Sequence, residues 1–175
     1  MSAVDKTRVK LGLPPLSQVG VVVRNMDKAV EYYSSTLGLG PFTVYEFVPD
    51  QCWLREKPVK VKLILGKAML GDIELELVQP LEGKTIHQEF LDSRGEGLHH
   101  LAFNCRDYDK VFNRFVKAGI KPLFRAESYV ETYKGHLKAC YFDTDMNGGI
   151  LVELLWKSWL ANGGQTRLLR PPRSS

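Results

Sequence analysis

Two segments of this 175-residue chain share one pattern, and this repetition constrains the fold more than any other feature of the sequence. Residues 18–33 read QVGVVVRNMDKAVEYY, and residues 100–115 read HLAFNCRDYDKVFNRF. In each copy an apolar run with strand character ends at an Arg, and Asp-Lys then opens a segment with the spacing of an amphipathic helix. Repeated order of this kind indicates duplicated architecture. We therefore predict two similar modules.

The spacing of apolar residues predicts the order β-α-β-β-β within each module. The predicted strands are 17–24, 43–48, 59–65 and 72–79 in the first module, and 98–105, 123–130, 137–143 and 150–156 in the second. One helix is expected from about Met26 to Leu37 with Asn25 as its N-cap, and its counterpart over about 107–118, ended by Gly119. A short helix is expected near 85–93, between the modules.

Two such units side by side predict an α+β fold. The modules form a curved, mostly antiparallel sheet around a metal-site cup, and the helices lie outside. The expected boundaries are a lead-in at 1–16, one domain at 17–156 with modules 17–79 and 98–156 and a connection at 80–97, and a tail at 157–175.

Composition excludes several classes of protein. With 44% hydrophobic and 25% charged residues, the chain has the composition of a soluble globular protein. The formal charge of +4 is mild, and several basic residues fall in the tail, so no nucleic-acid partner is expected. No apolar run approaches the roughly 18 residues that a membrane span needs. Three cysteines without a C-x-x-C pair indicate reduced thiols, packed as small apolar residues, and a cytoplasmic location.

Equivalent positions in the two modules carry side chains that can bind a metal. Gln18 and His100 open the two copies, and Glu76 and Glu153 lie in later strands that are otherwise apolar. An unpaired carboxylate is costly to bury, and a shared divalent cation would remove that cost. One amide, one imidazole and two carboxylates suit Zn, Co, Ni or Mn better than copper. We therefore predict one divalent metal ion held by these four residues.

Alternation along the strands predicts where neighbouring side chains point. Gly20 and Ala102, each two residues beyond a predicted ligand, are expected to leave space for a bound molecule on the same face. By the same alternation His99 points to the opposite face, where its role is structural. The two remaining histidines, His87 and His136, receive no role.

The motifs GEGLHHLAF (95–103) and IELELVQPLEG (73–83), with the strand-helix segment VGVVVRNMDKAVEYYSSTLGLGPF, resemble the vicinal oxygen chelate superfamily. This is the glyoxalase, bleomycin-resistance and extradiol-dioxygenase group. The resemblance covers roughly residues 17–156 and is nearest to methylmalonyl-CoA epimerases, whose fourth strand runs into Pro-Leu and whose fifth opens Gly-Leu-His-His. Carried over by position, it implies the metal ligands Gln18, Glu76, His100 and Glu153.

Some positions depart from known branches of that group. Val22 and Pro80 stand where glyoxalase I has the Arg and Asn that bind glutathione, so glutathione is not expected as a cosubstrate. Extradiol dioxygenases use two histidines and one carboxylate, whereas this set contains one histidine. One epimerase pattern places an acid/base carboxylate on the third strand. Here the matched position is Val61, and Glu74 is the nearest acidic substitute.

The resemblance implies a divalent-metal-dependent isomerase or epimerase that transfers a proton next to a carbonyl through a metal-stabilised enediolate. Glu153 is the leading general base, and Glu76 is the candidate for the opposite face. The implied partner is a small molecule such as the acyl-CoA thioester methylmalonyl-CoA, with Arg55 and Arg94 as candidates to meet an anionic tail. The alternatives are a glyoxalase-like isomerase or lyase acting on another oxo compound, and a non-catalytic binding protein of the resistance type. A homodimer is expected, as is common in the superfamily.

Overall fold

The computed structural model describes residues 11–145 and 149–161, so most of the expected lead-in (1–16) and tail (157–175) lies outside the described residues. Its strands are β1 (Gln18–Val22), β2 (Thr43–Phe47), β3 (Gln51–Leu54), β4 (Lys57–Pro58), β5 (Lys62–Leu70), β6 (Ile73–Glu82), β7 (Gly97–Asn104), β8 (Pro122–Val130), β9 (Gly135–Phe142) and β10 (Leu151–Lys157). Its helices are α1 (Met26–Glu31), α2 (Ile86–Arg94), α3 (Tyr108–Lys117) and α4 (Ser158–Ala161).

The strands form one sheet in the order β2-β5-β6-β1-β7-β10-β9-β8-β3-β4. Of the pairings in the described residues, β1 with β6 and β10 with β7 are parallel, and the others are antiparallel. The two modules meet where β1 pairs antiparallel with β7. This arrangement confirms the predicted α+β fold with a curved, mostly antiparallel sheet built from two repeated units.

The hairpin of β3 and β4 was not predicted. It extends the second module, because β3 pairs with β8, although it lies in the first half of the chain. Its turn residues, Arg55 and Glu56, have positive φ angles of 49° and 63°, but the turn lacks the Asn-Gly or Asp-Gly sequence that would reveal it. Residues 48–50 alone connect β2 to β3, a span of at most about 14 Å. The two ends of the sheet are therefore close, and the sheet curls into a cup.

The convex face of the sheet is covered by helices. Asn25 caps α1 by accepting a hydrogen bond from the backbone N–H of Lys28 at 2.9 Å, as predicted, and the helix continues as a π-helix over Tyr32–Thr36. On the other module, Phe115 of α3 packs on Phe142 of β9 with ring centroids 4.5 Å apart. Helix α2 packs instead against residues of the concave face.

The three cysteines, Cys52, Cys105 and Cys140, are free and buried. This agrees with the prediction that they are reduced thiols packed as small apolar residues. Among the described residues, no helix has the length and apolar character required to cross a membrane.

Candidate metal site and cavity

The concave face of the sheet encloses a cavity of about 480 Å³ between the two modules. Its lining is mostly apolar, and ionisable and amide side chains are concentrated along β1, β5, β6 and β10. The apolar lining includes Leu63, Leu65, Val78, Phe124, Leu137 and Leu155, and the polar lining includes Gln18, Lys67, Glu74, Glu76, Tyr141 and Glu153.

Three of the four predicted ligands meet at one point of this cavity. Atoms of Glu76, His100 and Glu153 that can bind a metal lie within 4.8 Å of one another, and all three residues are buried. His100 Nε2 lies 3.4 Å from Glu76 Oε2 and 3.4 Å from Glu153 Oε2. The strand register explains the cluster, because Gly20 of β1 is paired with Glu76 on one side and with His100 on the other.

Gly20 is required by the imidazole ring of His100. A Cβ atom at this position would lie 1.8 Å from His100 Cε1. The prediction that Gly20 leaves space for a bound molecule is therefore wrong, since the His100 ring fills that space.

The fourth predicted ligand, Gln18, is buried in the same cavity. Its Nε2 donates a hydrogen bond to Glu74 Oε1 at 2.6 Å, and its Oε1 has no hydrogen-bond partner among the described residues. His100 Nε2 and Glu153 Oε2 are likewise buried and unpaired. Unpaired buried polar atoms are costly and call for an explanation. An amide oxygen, an imidazole nitrogen and carboxylate oxygens fit a divalent cation, which would satisfy them together.

Lys67 lies at the same site and was not identified from the sequence. Its Nζ is 2.9 Å from Glu76 Oε1 and 3.3 Å from Glu74 Oε1. Lys67 thus supplies part of the compensating charge that the sequence analysis attributed to a cation alone. It was missed because the predicted strand 59–65 stops short of it, whereas β5 runs to Leu70.

His99 contacts His100 directly, so the prediction that it points to the opposite face is wrong. The two Nδ1 atoms lie 3.0 Å apart. The register of β1 with β7 shifts between Gly20 and Val21, so that His99 is an extra residue in β7 without a partner on β1. Such a bulge interrupts side-chain alternation, and here it places both imidazole rings on the concave side.

The 3.0 Å contact between the two Nδ1 atoms links the protonation of His99 to that of His100, because one nitrogen must donate and the other accept. Burial lowers the pKa of His99, so this ring is neutral. When the proton is on His100 Nδ1 and His99 Nδ1 accepts it, His100 Nε2 presents its lone pair to the cluster, which is the form that binds a metal.

The two carboxyl groups of the cluster, those of Glu76 and Glu153, differ in pKa. Burial raises the pKa of Glu153 to about 7, although the neighbouring His100 acts against it. Burial also acts to raise the pKa of Glu76, but Lys67 and His100 outweigh it and hold that pKa below its usual value. Near neutral pH the metal-free site therefore contains one ionised carboxylate and one that readily exchanges its proton.

The structure also locates the other residues considered from the sequence. His87 of α2 lines the cavity with its ring centroid 4.8 Å from that of His99, and neither of its ring nitrogens has a partner among the described residues. Arg55 pairs with Glu89, and Arg94 pairs with Asp145. Neither arginine lines the cavity.

Comparison with known proteins agrees with this architecture. Residues 17–141 match the family model described as the glyoxalase/bleomycin resistance protein/dioxygenase superfamily. The chain is 34% identical over 139 residues to the uncharacterized protein YqjC of Bacillus subtilis (strain 168), covering 79% of this chain and 89% of that protein. The chain therefore belongs to the glyoxalase/bleomycin resistance/dioxygenase superfamily.

Solved structures show the same fold. Methylmalonyl-CoA epimerase from Mycobacterium tuberculosis superposes with a TM-score of 0.58 at 24% identity, covering 82% of this chain and 88% of that one. A variant of the Streptomyces coelicolor methylmalonyl-CoA epimerase in complex with 2-nitronate-propionyl-CoA superposes with a TM-score of 0.56 at 21% identity, covering 83% and 98%. At these identities the likeness concerns the fold.

Proposed function

We propose that this protein is a divalent-metal-dependent isomerase or epimerase that transfers a proton at a carbon next to a carbonyl group. The observation that supports it is the meeting of Glu76, His100 and Glu153 within 4.8 Å at a mostly apolar cavity, where His100 Nε2 and Glu153 Oε2 have no hydrogen-bond partner among the described residues. Gln18 completes the proposed ligand set from the equivalent position of the first module.

The residues around the cavity have distinct proposed roles. A bound divalent cation acts as a Lewis acid on substrate oxygens and stabilises negative charge that develops on them. Glu153 is the proposed general base, because its carboxylate lines the cavity beside His100, and in the metal-free protein burial raises its pKa to about 7. Glu76, held ionised beside Lys67 and His100, contributes negative charge to the ion and remains the proposed second carboxylate for the opposite face of the substrate.

An acyl-CoA thioester is the first substrate class to test. Solved methylmalonyl-CoA epimerases of this fold include one in complex with 2-nitronate-propionyl-CoA and one in complex with methylmalonyl-CoA. The expected setting is a homodimer in the cytoplasm.

Metal content and isotope exchange test the proposal together. Protein purified without chelator is analysed for metals by mass spectrometry, and racemic methylmalonyl-CoA is then incubated with it in deuterated buffer. We expect about one divalent ion per chain and deuterium at the α-carbon. A panel of other acyl-CoA thioesters and 2-oxo acids follows if methylmalonyl-CoA is inert. Metal-loaded protein that labels no member of the panel would refute the catalytic proposal.

A matched pair of variants assigns the exchange to Glu153. Glu153→Gln should abolish labelling, whereas Glu82→Gln, at an exposed position on β6, should label at the wild-type rate. The metal content of both variants is measured in the same preparations, so that loss of the ion is separated from loss of the base.

A metal-free binding protein of the resistance type is the second candidate, and the Lys67–Glu76 ion pair favours it. An ammonium group 2.9 Å from Glu76 already neutralises a carboxylate that would otherwise need a cation. This candidate predicts that the purified protein contains almost no metal and binds apolar small molecules equally well before and after treatment with EDTA.

A further inference from the structure

Lys157 lies on the cavity wall, four residues beyond Glu153 on β10. Residues 153, 155 and 157 of β10 share one face of the strand, and all three line the cavity. Strand geometry separates the Cα atoms of Glu153 and Lys157 by about 13 Å. One strand therefore carries a proposed metal ligand near one end and a basic side chain at the other.

Lys157 differs from the other lysine of the cavity in having no acidic partner. Lys67 forms ion pairs with Glu74 and Glu76, whereas no ion pair within the described part of the chain includes Lys157. Burial, and then the positive charge of Lys67, lowers the pKa of Lys157, and the carboxylates of the cavity act in the opposite direction. The Lys157 side chain is half-buried, and a bound anion would stabilise an ammonium group that is partly withdrawn from water without an ion-pair partner.

The charge of a metal-loaded cavity also favours an anionic ligand. Its remaining acidic residue, Glu46, pairs with Lys62, which lies outside the lining. With a divalent cation present, the carboxylates of Glu74, Glu76 and Glu153 and the two lysines leave one net positive charge, which a single carboxylate on the ligand would balance. Without the cation the same groups leave one net negative charge, so anion binding to the metal-free protein depends on the local charge of Lys157.

The wall around Lys157 is apolar. Lys157 is paired in register with Leu137, which lines the cavity together with Leu155. Nearby, the rings of Tyr133 and Trp159 stack with their centroids 4.6 Å apart and form another part of the wall. The cavity thus offers a cationic group, an apolar stretch and then the cluster of carboxylates and imidazole.

We propose that Lys157 binds the carboxylate of a ligand in which an apolar segment separates this carboxylate from the end that reaches the candidate metal site. The reacting end of this ligand rests on the proposed function, but recognition of the carboxylate by Lys157 does not. Methylmalonyl-CoA remains the first compound to test for the reaction, and a small carboxylic acid of this class is the second, because the carboxylate of methylmalonyl-CoA is attached to its reacting carbon.

Binding of two unreactive probes to EDTA-treated protein tests the assignment. Hexanoate and hexanamide have the same chain length and differ in charge, and their affinities are measured by calorimetry. We expect wild-type protein to bind hexanoate about tenfold more tightly than hexanamide, because the amide carbonyl can accept a hydrogen bond from Lys157 but has no negative charge to pair with the ammonium group. Lys157→Met should abolish the preference, Lys157→Arg should retain it, and Lys117→Met on the exposed side of α3 should leave it unchanged.

The inference would be overturned if wild-type protein bound both probes with equal affinity. It would also be overturned if a folded Lys157→Met variant still bound hexanoate more tightly than hexanamide. A third contrary result is a preference for hexanoate that appears only after metal is restored and is the same with and without Lys157. If Lys157→Arg still prefers hexanoate, misfolding is excluded as the reason that Lys157→Met loses this preference. If the protein fails to exchange deuterium into any substrate but still prefers hexanoate, the proposed reaction is refuted and the proposed anion site is retained.

Discussion

The Nδ1 atoms of His99 and His100 lie 3.0 Å apart, while His100 Nε2 lies 3.4 Å from both Glu76 and Glu153. A neutral His99 can accept the Nδ1 proton of His100, and this arrangement leaves the lone pair of His100 Nε2 available to a metal. Partners that orient a metal-binding imidazole in this way commonly tune its affinity for the ion. His99 is therefore a positioning residue of the candidate site.

Replacement of His99 should weaken metal binding without unfolding the protein. His99→Phe keeps an aromatic ring in the buried space but removes the acceptor for His100 Nδ1–H, and we expect metal affinity to fall about 10- to 100-fold. Competition with a chromophoric chelator measures the affinity, and circular dichroism checks the fold. His136→Phe, at an exposed position, is the control and should bind as the wild type does. Unchanged affinity in a folded His99→Phe protein would remove the positioning role.

The contrast between His99 and His100 shows what the sequence can predict here. The duplicated pattern singled out four residues, and the structure brings three of them, Glu76, His100 and Glu153, within 4.8 Å because the equivalent strands of the two modules lie side by side. Alternation failed at His99, because a bulge depends on the pairing between β1 and β7, which the sequence of β7 alone does not reveal. Lys67 was missed for a related reason, since a strand boundary displaced by a few residues leaves a side chain out of the site.

A methyl group at Gly20 should damage the site specifically. The added Cβ of Gly20→Ala would lie 1.8 Å from the His100 ring, which is buried and cannot move away freely, so we expect a loss of about 1–3 kcal/mol in the free energy of unfolding together with loss of metal binding. Gly66→Ala is the matched control. Its Cβ would meet the flexible Met26 side chain on the other face at 2.7 Å. Urea unfolding and metal titration of both variants test this, and equal metal affinities would contradict it.

Glu153 should make the metal-free protein less stable as the pH rises. Its pKa is raised from 4.5 in the unfolded chain to about 7 in the folded protein, mainly by burial. A group of this kind contributes stability that is fully present below about pH 4.5 and is lost as the pH rises through about 7. Glu153→Gln removes that dependence, so relative to wild type the variant should gain on the order of 2 kcal/mol between pH 5 and pH 8.

Urea unfolding of EDTA-treated wild type and Glu153→Gln at the two pH values measures that difference. Glu82→Gln, exposed on the same sheet, should unfold as the wild type does at both. If the stability difference between wild type and Glu153→Gln is identical at pH 5 and pH 8, the pKa of the Glu153 carboxyl group is not raised in the folded protein.

His87 should make the protein less stable as the pH falls, the opposite of the effect of Glu153. Burial, assisted by His100, lowers its pKa from 6.5 to about 3, and neither ring nitrogen has a hydrogen-bond partner among the residues described. Between these values the unfolded chain binds a proton that the folded chain does not, so stability is lost as the pH falls from about 6.5 towards 3. His87→Phe removes this loss and the unpaired buried nitrogens, so its stability should decline less than that of wild type between pH 7.5 and pH 5. Urea unfolding of wild type, His87→Phe and the exposed control His136→Phe at pH 7.5 and pH 5 measures this effect. An equal loss in the free energy of unfolding in all three proteins would contradict the argument.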